Sequence, residues 1–344
     1  MKIVVDKFIP YVNGVFEPFA EVQYLAPAEF TPESVRHADA LIVRTRTHCN
    51  AALLGGSQVR FIATATIGYD HIDADFCQKN GIKWTNAPGC NAPAVGQYVA
   101  SVLCFWAKKY GIDLREKTLG IVGVGHVGRE VLKMAKLLGM NVLQNDPIRE
   151  KTEKSGDFAS ITRIAHEADI ITFHTPLTHD GEFATYHMAD ALFFADCCCK
   201  PLIINAARGG VVDENALKNA LKLGQISDCA IDCWENEPKI DAELLQKALI
   251  ATPHIAGYSA DGKAAATEMC VRAVSQFFGL GLDDFCVKDL PTIEPCHCRS
   301  YEERTQAILR SYDISCDDAV LRSAPNNFEK LRSEYKLRRD AKFN

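Results

Sequence analysis

The stretch Leu119–Leu138, LGIVGVGHVGREVLKMAKLL, decides the fold of this chain. Its first residues form an apolar run typical of a buried strand, and an amphipathic helix pattern follows over Arg129–Leu138. Between them lies the motif G-x-G-x-x-G, whose glycines allow a tight turn, close approach of a pyrophosphate and close packing of the helix. This context predicts a dinucleotide-binding α/β domain. The glycines predicted to contact the cofactor are Gly123, Gly125 and Gly128.

The acidic residue Asp146 indicates which dinucleotide is bound. It follows the predicted strand Asn141–Asn145, 18 residues after Gly128. A carboxylate at this point accepts hydrogen bonds from the adenosine ribose hydroxyls and repels a 2′-phosphate, so we expect NAD as the cofactor. The nearby Arg149 keeps NADP open as the alternative, because an arginine there can accommodate the 2′-phosphate.

Short apolar runs alternate with helical patterns on both sides of this motif, which is typical of α/β proteins. The predicted strands before it are Lys2–Asp6, Ala40–Arg44, Phe61–Thr66 and Lys83–Asn86. From the motif onward they are Thr118–Val122, Asn141–Asn145, Ile170–His174, Pro201–Asn205, Asp228–Asp232 and Leu249–Thr252. A helix near residues 95–110 joins the two groups, and a helix over Ala264–Phe278 can return to the first group. We therefore predict a doubly wound nucleotide domain inserted into a split domain, with a tail that contains a charged helix over Glu329–Arg339.

Composition argues against several classes of protein. The formal net charge of −6 disfavours binding to nucleic acid or to an anionic membrane surface. No run of 18 apolar residues occurs, and the first residues have the pattern of a strand, so we expect a cytoplasmic protein. We expect the 14 cysteines to be reduced and mostly buried. No metal site is predicted, because Cys296-His297-Cys298 lacks a second spaced pair of ligands.

Polar residues after the later strands suit hydride removal from a small 2-hydroxy acid, which needs a base for the hydroxyl proton and a cation for the carboxylate. Arg208 follows a predicted strand among small residues, and a guanidinium binds a carboxylate bidentately. His254 lies in a turn after a proline, and imidazole titrates near neutrality. A carboxylate on its other ring nitrogen would fix the tautomer, and both Glu235 and Glu237 are available for this role.

Taken together, the glycine motif, Arg208, Glu237 and His254 in this order resemble the D-isomer-specific 2-hydroxyacid dehydrogenase family over about residues 1–280. The resemblance implies that Arg208 orients the substrate, that Glu237 pairs with His254, and that His254 is the acid–base. It implies a flavodoxin-like substrate domain of residues 1–93 and 258–282 and a Rossmann domain of residues 94–257. The further cofactor contacts that it implies are His126, Val127, Asp146, Thr175, Ala206, Ala207, Asp232 and Gly257.

Within the family, three segments are most similar to members that act on a small phosphorylated 2-hydroxy acid. These segments are Thr64–His71, Ala87–Ala92 and Phe173–Thr178. The resemblance implies substrate contacts at Thr45, Thr66 and Tyr258, and a small C-terminal dimerisation domain of residues 283–344 that would make the protein a homodimer. Arg44 and Arg46, beside Thr45, are either partners of the substrate phosphate or solvated edge charges.

Two other functions remain open at this stage. One is a related dehydrogenase that acts on 3-phosphoglycerate or on an unphosphorylated 2-hydroxy acid, because the three catalytic candidates recognise only the hydroxy-acid end. The other is a non-catalytic NAD-sensing protein similar to the corepressors that share this fold, which can keep the same Arg, Glu and His. The chain lacks long basic or disordered segments for binding partners, which disfavours the second alternative.

Overall fold

The computed structural model describes residues 1–153 and 156–343. The chain divides into two compact units, each built from two segments. The first unit consists of Met1–Asn91 and Ser259–Thr292, and the second of Ala92–Tyr258 and Ile293–Asn344. A split first unit with the second inserted into it was expected, and the tail from Ile293 onward belongs by its contacts to the second unit. The division into three domains, with residues 283–344 as a dimerisation domain, stays a prediction.

All ten predicted strands are present, some of them one or two residues shorter than expected. The strands of the first unit are β1 (Lys2–Asp6), β2 (Glu21–Leu25), β3 (Ala40–Val43), β4 (Phe61–Thr64) and β5 (Lys83–Thr85). Those of the second unit are β6 (Thr118–Val122), β7 (Asn141–Asn145), β8 (Ile170–Phe173), β9 (Leu202–Asn205), β10 (Asp228–Ile231) and β11 (Ile250–Ala251). The sequence did not predict β2, which is an edge strand whose residues are half-buried or exposed and therefore lacks a strong apolar pattern.

Helices alternate with these strands. They are α1 (Pro32–Val35), α2 (Ala51–Leu54), α3 (Ala74–Lys79), α4 (Ala92–Tyr110), α5 (His126–Leu137), α6 (Pro147–Glu153), α7 (Ile161–Glu167), α8 (Ala191–Ala195), α9 (Glu214–Leu223), α10 (Ala242–Lys247), α11 (Ala260–Phe278), α12 (Tyr301–Ser311), α13 (Ile314–Ser323) and α14 (Phe328–Ser333). The two long helices that were expected, α4 and α11, both begin a few residues earlier than the apolar pattern indicated.

The first unit contains a parallel five-stranded sheet in the order β2-β1-β3-β4-β5. This is the flavodoxin-like order, as predicted. Strands β3 and β4 are buried along their whole length, with one apolar cluster on each face of the sheet. Helix α11 contributes Val271 and Val274 to one of these clusters.

The second unit contains a parallel six-stranded sheet in the order β11-β10-β9-β8-β6-β7. A single parallel bridge between Gln144 and Phe158 extends it beyond β7, which gives the strand sequence of the Rossmann fold. Because parallel strands end at the same edge, the segments after β6, β8, β9 and β10 lie along one side of this sheet. The cofactor and catalytic candidates of the second unit follow these strands.

The prediction of a charged helix over Glu329–Arg339 is wrong in the length of the helix. Helix α14 ends at Ser333, and the chain continues to Arg338 without helical structure. The side chains of Tyr335 and Arg338 instead form hydrogen bonds with more distant parts of the same unit. Tertiary contacts therefore override the helical propensity of this charged segment.

Each of the 14 cysteines is a free thiol, and seven of them are buried, so the expectation that most are buried is wrong. The adjacent Cys198 and Cys199 are among the exposed ones. Among the helices of the described residues, none is long and apolar enough to cross a membrane.

Candidate active site

The glycine-rich turn joins β6 to α5 and leaves room for a ligand at one of its three glycines. Gly123 has a φ of +88°, and a Cβ there would lie 2.7 Å from the His174 carbonyl oxygen. A Cβ on Gly128 would lie only 2.1 Å from the Gly123 carbonyl oxygen, whereas one on Gly125 would meet nothing within 4 Å. The first and third glycines are thus required by packing, and the second borders open space where a pyrophosphate could approach.

Other residues around this turn also fit a bound dinucleotide. His126 and Val127 form the first turn of α5, whose N–H groups suit a phosphate. The Oγ1 of Thr175, just after β8, is buried and has no hydrogen-bond partner among the described residues, which is expected of a hydroxyl that awaits a ligand. Ala206 and Ala207 follow β9 and present only small side chains. The residues after these strands therefore suit a bound dinucleotide. The contacts of the individual residues with the dinucleotide stay predictions.

Asp146 and Arg149 form a small hydrogen-bonded group at the end of β7. The carboxylate of Asp146 accepts hydrogen bonds from the N–H groups of Val124 at 3.0 Å and Arg149 at 3.1 Å. The guanidinium of Arg149 donates to both carboxylate oxygens of Glu153 and to the Val124 carbonyl oxygen. Because the guanidinium already forms hydrogen bonds with Glu153 and Val124, it is poorly placed to bind a 2′-phosphate. The arrangement therefore favours NAD over NADP.

Replacing Asp146 by asparagine should weaken NAD binding about tenfold, because the amide keeps one acceptor and loses the charge that binds ribose hydroxyls. Titration calorimetry with NAD and NADP measures the effect. The preference for NAD should decrease at the same time. An unchanged affinity for NAD would remove Asp146 from the cofactor site.

The loop that carries His254 is held in an unusual conformation. His254 has a φ of 56°, in the left-handed region that few residues other than glycine adopt. The buried carboxylate of Asp232 accepts hydrogen bonds from the N–H groups of Ile255 at 2.8 Å and Ala256 at 2.9 Å. It also accepts a hydrogen bond from the Thr252 hydroxyl at 2.7 Å. These contacts maintain the strained backbone, which places the imidazole at a fixed point.

Asp232 therefore has a structural role that the sequence did not predict. It was expected as a cofactor contact, and the structure shows its carboxylate bonded to the loop after β11 and 1% exposed. Burial raises the pKa of the Asp232 carboxyl above its usual value. The charge of His254 and the hydrogen bonds that the carboxylate accepts oppose this effect only in part. Its contact with the cofactor stays a prediction.

His254 and Glu237 form a close pair, which decides between the two glutamates that the residues alone left open. Nδ1 of His254 lies 2.9 Å from each carboxylate oxygen of Glu237. Glu235 instead contacts Nε2 of His187. The backbone N–H of Trp234 donates to Glu237 at 2.9 Å and fixes the orientation of the carboxylate. Glu237 is thus the residue that holds the imidazole, as the family resemblance implied.

The electrostatics of the pair favour an ionised glutamate. Burial raises the pKa of the Glu237 carboxyl. Four interactions outweigh this effect and hold the pKa of Glu237 below its usual value. They are the hydrogen bond and the charge of His254, the hydrogen bond from the backbone N–H of Trp234, and the charge of Arg332. A carboxylate beside Nδ1 stabilises an imidazolium, so the pair can store a proton taken from a substrate.

Arg208 lies on the loop after β9, which packs directly against the turn that carries Glu237. The side-chain amide of Asn205 donates to the Arg208 carbonyl at 3.0 Å and to the Cys233 carbonyl at 3.3 Å. A Cβ on Gly209 would lie 2.1 Å from the Trp234 carbonyl oxygen, so the two backbones approach too closely for any other residue. The Arg208 guanidinium donates to the Ala207 carbonyl oxygen at 2.8 Å. Burial raises the pKa of the Cys233 thiol, and the Arg208 charge partly opposes this effect.

The three predicted substrate residues fall in different units. Thr45 is exposed just after β3 of the first unit, and the Thr66 hydroxyl donates to the Gly68 carbonyl oxygen at 2.9 Å and lies 2.7 Å from the Thr64 hydroxyl. Tyr258 belongs to the second unit, after the loop of His254 and Gly257.

Of the two arginines beside Thr45, Arg44 is already paired. Its guanidinium binds both carboxylate oxygens of Asp6, at 2.9 and 3.1 Å, and Asp6 is fully buried. This ion pair makes Arg44 a poor candidate for the substrate phosphate. Arg46 is exposed, and its contact with the substrate phosphate stays a prediction.

Sequence reasoning missed two tail residues that contact the site. Arg332 lies 3.5 Å from Glu237 and donates to the Tyr258 hydroxyl at 3.3 Å. Arg338 donates to the Ile255 and Tyr258 carbonyl oxygens at 3.1 and 3.0 Å. The basic residues of the tail were visible in the sequence, but nothing in their spacing showed which surface they would contact.

The thiol of Cys233, the Glu237 carboxylate and the His254 imidazole offer atoms within 4.8 Å of one another, an arrangement that could also hold a metal. Two contacts favour proton transfer instead. Nδ1 faces both carboxylate oxygens, and the Arg332 guanidinium already provides Glu237 with a second cation. We therefore interpret the group as an acid–base pair.

Comparisons with known proteins show which family this chain is similar to. A family model described as "D-isomer specific 2-hydroxyacid dehydrogenase, NAD binding domain" matches residues 100–256, so NAD is the cofactor. The chain is 49% identical over 343 residues to the erythronate-4-phosphate dehydrogenase of Bacteroides thetaiotaomicron, covering 99% of this chain and 98% of that protein. It is 45% identical over 349 residues to the enzyme of the same name from Porphyromonas gingivalis, covering 99% and 94%.

Solved structures show the same fold at lower sequence identity. A D-lactate dehydrogenase from Aquifex aeolicus, in complex with NAD and lactic acid, aligns with a TM-score of 0.66 at 23% identity, over 85% of this chain and 100% of that one. An NAD-dependent formate dehydrogenase from Staphylococcus aureus aligns with a TM-score of 0.65 at 20% identity, over 81% and 96%. From the near full-length similarity above, the chain belongs to the D-isomer specific 2-hydroxyacid dehydrogenase family, and within it to the erythronate-4-phosphate dehydrogenases.

Proposed function

We propose that this protein oxidises 4-phospho-D-erythronate to 2-oxo-3-hydroxy-4-phosphobutanoate with NAD, in the biosynthesis of pyridoxine 5′-phosphate. The name and near full-length similarity of the relatives support the substrate. The observation that carries the chemistry is the 2.9 Å contact of His254 Nδ1 with both oxygens of Glu237. This contact leaves Nε2 as the ring nitrogen that can take the proton of the substrate hydroxyl.

The residues of the second unit divide the reaction between them. His254 accepts the proton of the 2-hydroxyl group while the C2–H bond releases a hydride and the C2–O bond becomes a carbonyl. Glu237 stabilises the imidazolium that forms, and Arg208 binds the substrate carboxylate and polarises the developing carbonyl. Bound NAD supplies the acceptor of the hydride. The balanced products are the 2-oxo acid, NADH and one proton, which His254 returns to solvent.

The rest of the proposal concerns the remaining substrate contacts and the assembly. Thr45, Thr66 and Tyr258 would contact the substrate through hydroxyl groups. Residues 283–344 would form the dimerisation domain of a cytoplasmic homodimer. The net charge of −6 argues against nucleic-acid or membrane partners, and the family resemblance of the tail supports the dimer.

A substrate comparison tests this function. The kcat/KM for 4-phosphoerythronate, followed by NADH absorbance, should exceed those for 3-phosphoglycerate and D-lactate by at least about a hundredfold. D-lactate lacks the phosphate altogether. 3-Phosphoglycerate is shorter by one CHOH group, so its carboxylate and its phosphate cannot both reach binding groups that are spaced for the longer acid. Comparable values for 3-phosphoglycerate would show a related dehydrogenase instead. A protein that binds NAD and oxidises none of the three acids would favour the NAD-sensing alternative.

A further inference from the structure

The C-terminal tail contributes a cation to the group that surrounds the acid–base pair. Nη1 of Arg332 lies 3.5 Å from a carboxylate oxygen of Glu237, and its Nε donates to the Tyr258 hydroxyl at 3.3 Å. The side chain of Arg332 is 23% exposed and that of Glu237 is 17% exposed, so solvent screens their interaction only partly. The guanidinium thus joins a residue of the acid–base pair to a predicted substrate residue.

Helix α14 fixes Arg332 in this place. Phe328 is fully buried in the apolar core of the second unit, and Leu331 packs against the same core. Arg332 follows Phe328 by four residues, so the two side chains project from the same face of the helix. Burial lowers the pKa of Arg332, but its neighbours Tyr258 and Glu237 raise it above the usual value, which keeps the guanidinium charged.

A second arginine of the tail holds the backbone that follows His254. Arg338 donates to the Ile255 and Tyr258 carbonyl oxygens and to Ala256, and its guanidinium lies 4.2 Å from the centre of the Tyr312 ring. Asp317, which accepts hydrogen bonds from Tyr312 at 2.7 Å and Tyr335 at 2.9 Å, fixes this part of the tail. The tail therefore supports both the loop of His254 and the carboxylate that pairs with it.

We propose that Arg332 is a positioning residue of this dehydrogenase, which sets the charge on the His254–Glu237 pair and orients the Tyr258 hydroxyl toward the substrate. The proposal rests on the proposed function, in which this pair transfers the substrate proton. Arg332 acts on the pair by its charge, because a second cation beside Glu237 disfavours a protonated imidazole. It acts on Tyr258 by geometry, because an N–H directed at the phenol oxygen makes that oxygen an acceptor there and directs its hydrogen elsewhere.

Other charged and titratable groups also surround the pair and Arg332. Asp232 interacts electrostatically with His254, Cys233 with Glu237 and Arg208, and Tyr258 with Arg332. A substitution of Arg332 removes none of these groups, and R332K, which keeps the charge, shows whether a change in the titration of His254 reports the loss of this one charge.

The test compares R332Q, R332K and the control K330Q in the full-length protein. Lys330 is an exposed cation on the same helix, so its replacement removes an equal charge away from the pair. The imidazole signal of His254, assigned by its absence in a His254→Asn variant, is followed by NMR through a pH titration. In R332Q the midpoint should move to higher pH by about half a unit to one unit, since the imidazolium loses a repelling neighbour. R332K and K330Q should stay within about 0.2 units of the unsubstituted protein.

Enzyme kinetics provide the second readout. The acidic limb of the kcat/KM profile should move in the same direction in R332Q, and KM for 4-phosphoerythronate should rise several-fold in both R332Q and R332K, because only arginine offers the planar fork that reaches Tyr258. A His254 midpoint in R332Q equal to that of the unsubstituted protein overturns the proposal. If R332Q does not fold, an unchanged KM in R332K overturns the orienting role. The NMR titration needs no turnover, so a failure of the proposed function is distinguished from a failure of this inference.

Discussion

Replacing His254 by asparagine should lower kcat by about 10²–10⁴-fold while the protein stays folded. The loss follows from the proposed role, because an amide cannot accept the hydroxyl proton at neutral pH. Asparagine is the appropriate replacement because it adopts the left-handed backbone more readily than most residues, and His254 has a φ of 56°. The hydrogen bonds of Asp232 to the loop do not involve the imidazole and should persist. Stopped-flow or steady-state NADH absorbance measures the rate, and thermal unfolding checks the fold.

His187 supplies a matched control for this experiment. It also has a left-handed backbone, with a φ of 52°, and its imidazole also contacts a glutamate, Glu235. A His187→Asn variant therefore reproduces the change in side chain, backbone setting and carboxylate partner outside the proposed acid–base pair. Its effect on kcat should be far smaller. A His254→Asn variant within twofold of the unsubstituted protein would contradict the assignment of His254 as the base.

Replacing Gly128 by alanine should destabilise the second unit and abolish NAD binding, whereas the same change at Gly125 should affect NAD binding alone. A Cβ on Gly128 would lie 2.1 Å from the backbone oxygen of Gly123, and no flexible side chain is there to move away. Such overpacking costs about 1–3 kcal/mol or more. A Cβ on Gly125 meets nothing within 4 Å, so the fold should accept it. The added methyl group then occupies the space where the pyrophosphate approaches.

Thermal unfolding and titration calorimetry separate these two effects. G128A should unfold at a temperature several degrees lower, as expected for a loss of this size. G125A should unfold within about a degree of the unsubstituted protein and bind NAD at least about tenfold more weakly. If G125A binds NAD with unchanged affinity, the pyrophosphate does not approach this glycine. If G128A is as stable as the unsubstituted protein, the close packing of α5 on the turn is not as described.

The sequence by itself determined the architecture, because the residues that specify it act locally. The apolar runs that become β6 to β11, the glycine turn before α5 and the position of Asp146 all follow from short-range periodicity and turn chemistry. The edge strand β2 was not predicted, because its half-buried and exposed residues have only a weak apolar pattern. The strands that carry the cofactor and catalytic candidates were all recognised.

Only the tertiary structure decided which side chains meet. Glu235 and Glu237 lie two residues apart in one turn, and local sequence gives both the same chance of facing His254. The packing of Gly209 against Trp234 and the hydrogen bond of the Trp234 N–H select Glu237. The contact of Arg332 with Glu237 joins residues 95 positions apart (332 − 237), and no periodicity of the sequence indicates a contact over such a separation. Strands and turns are set by neighbouring residues, whereas a charged pair between distant segments exists only after the core has brought them together.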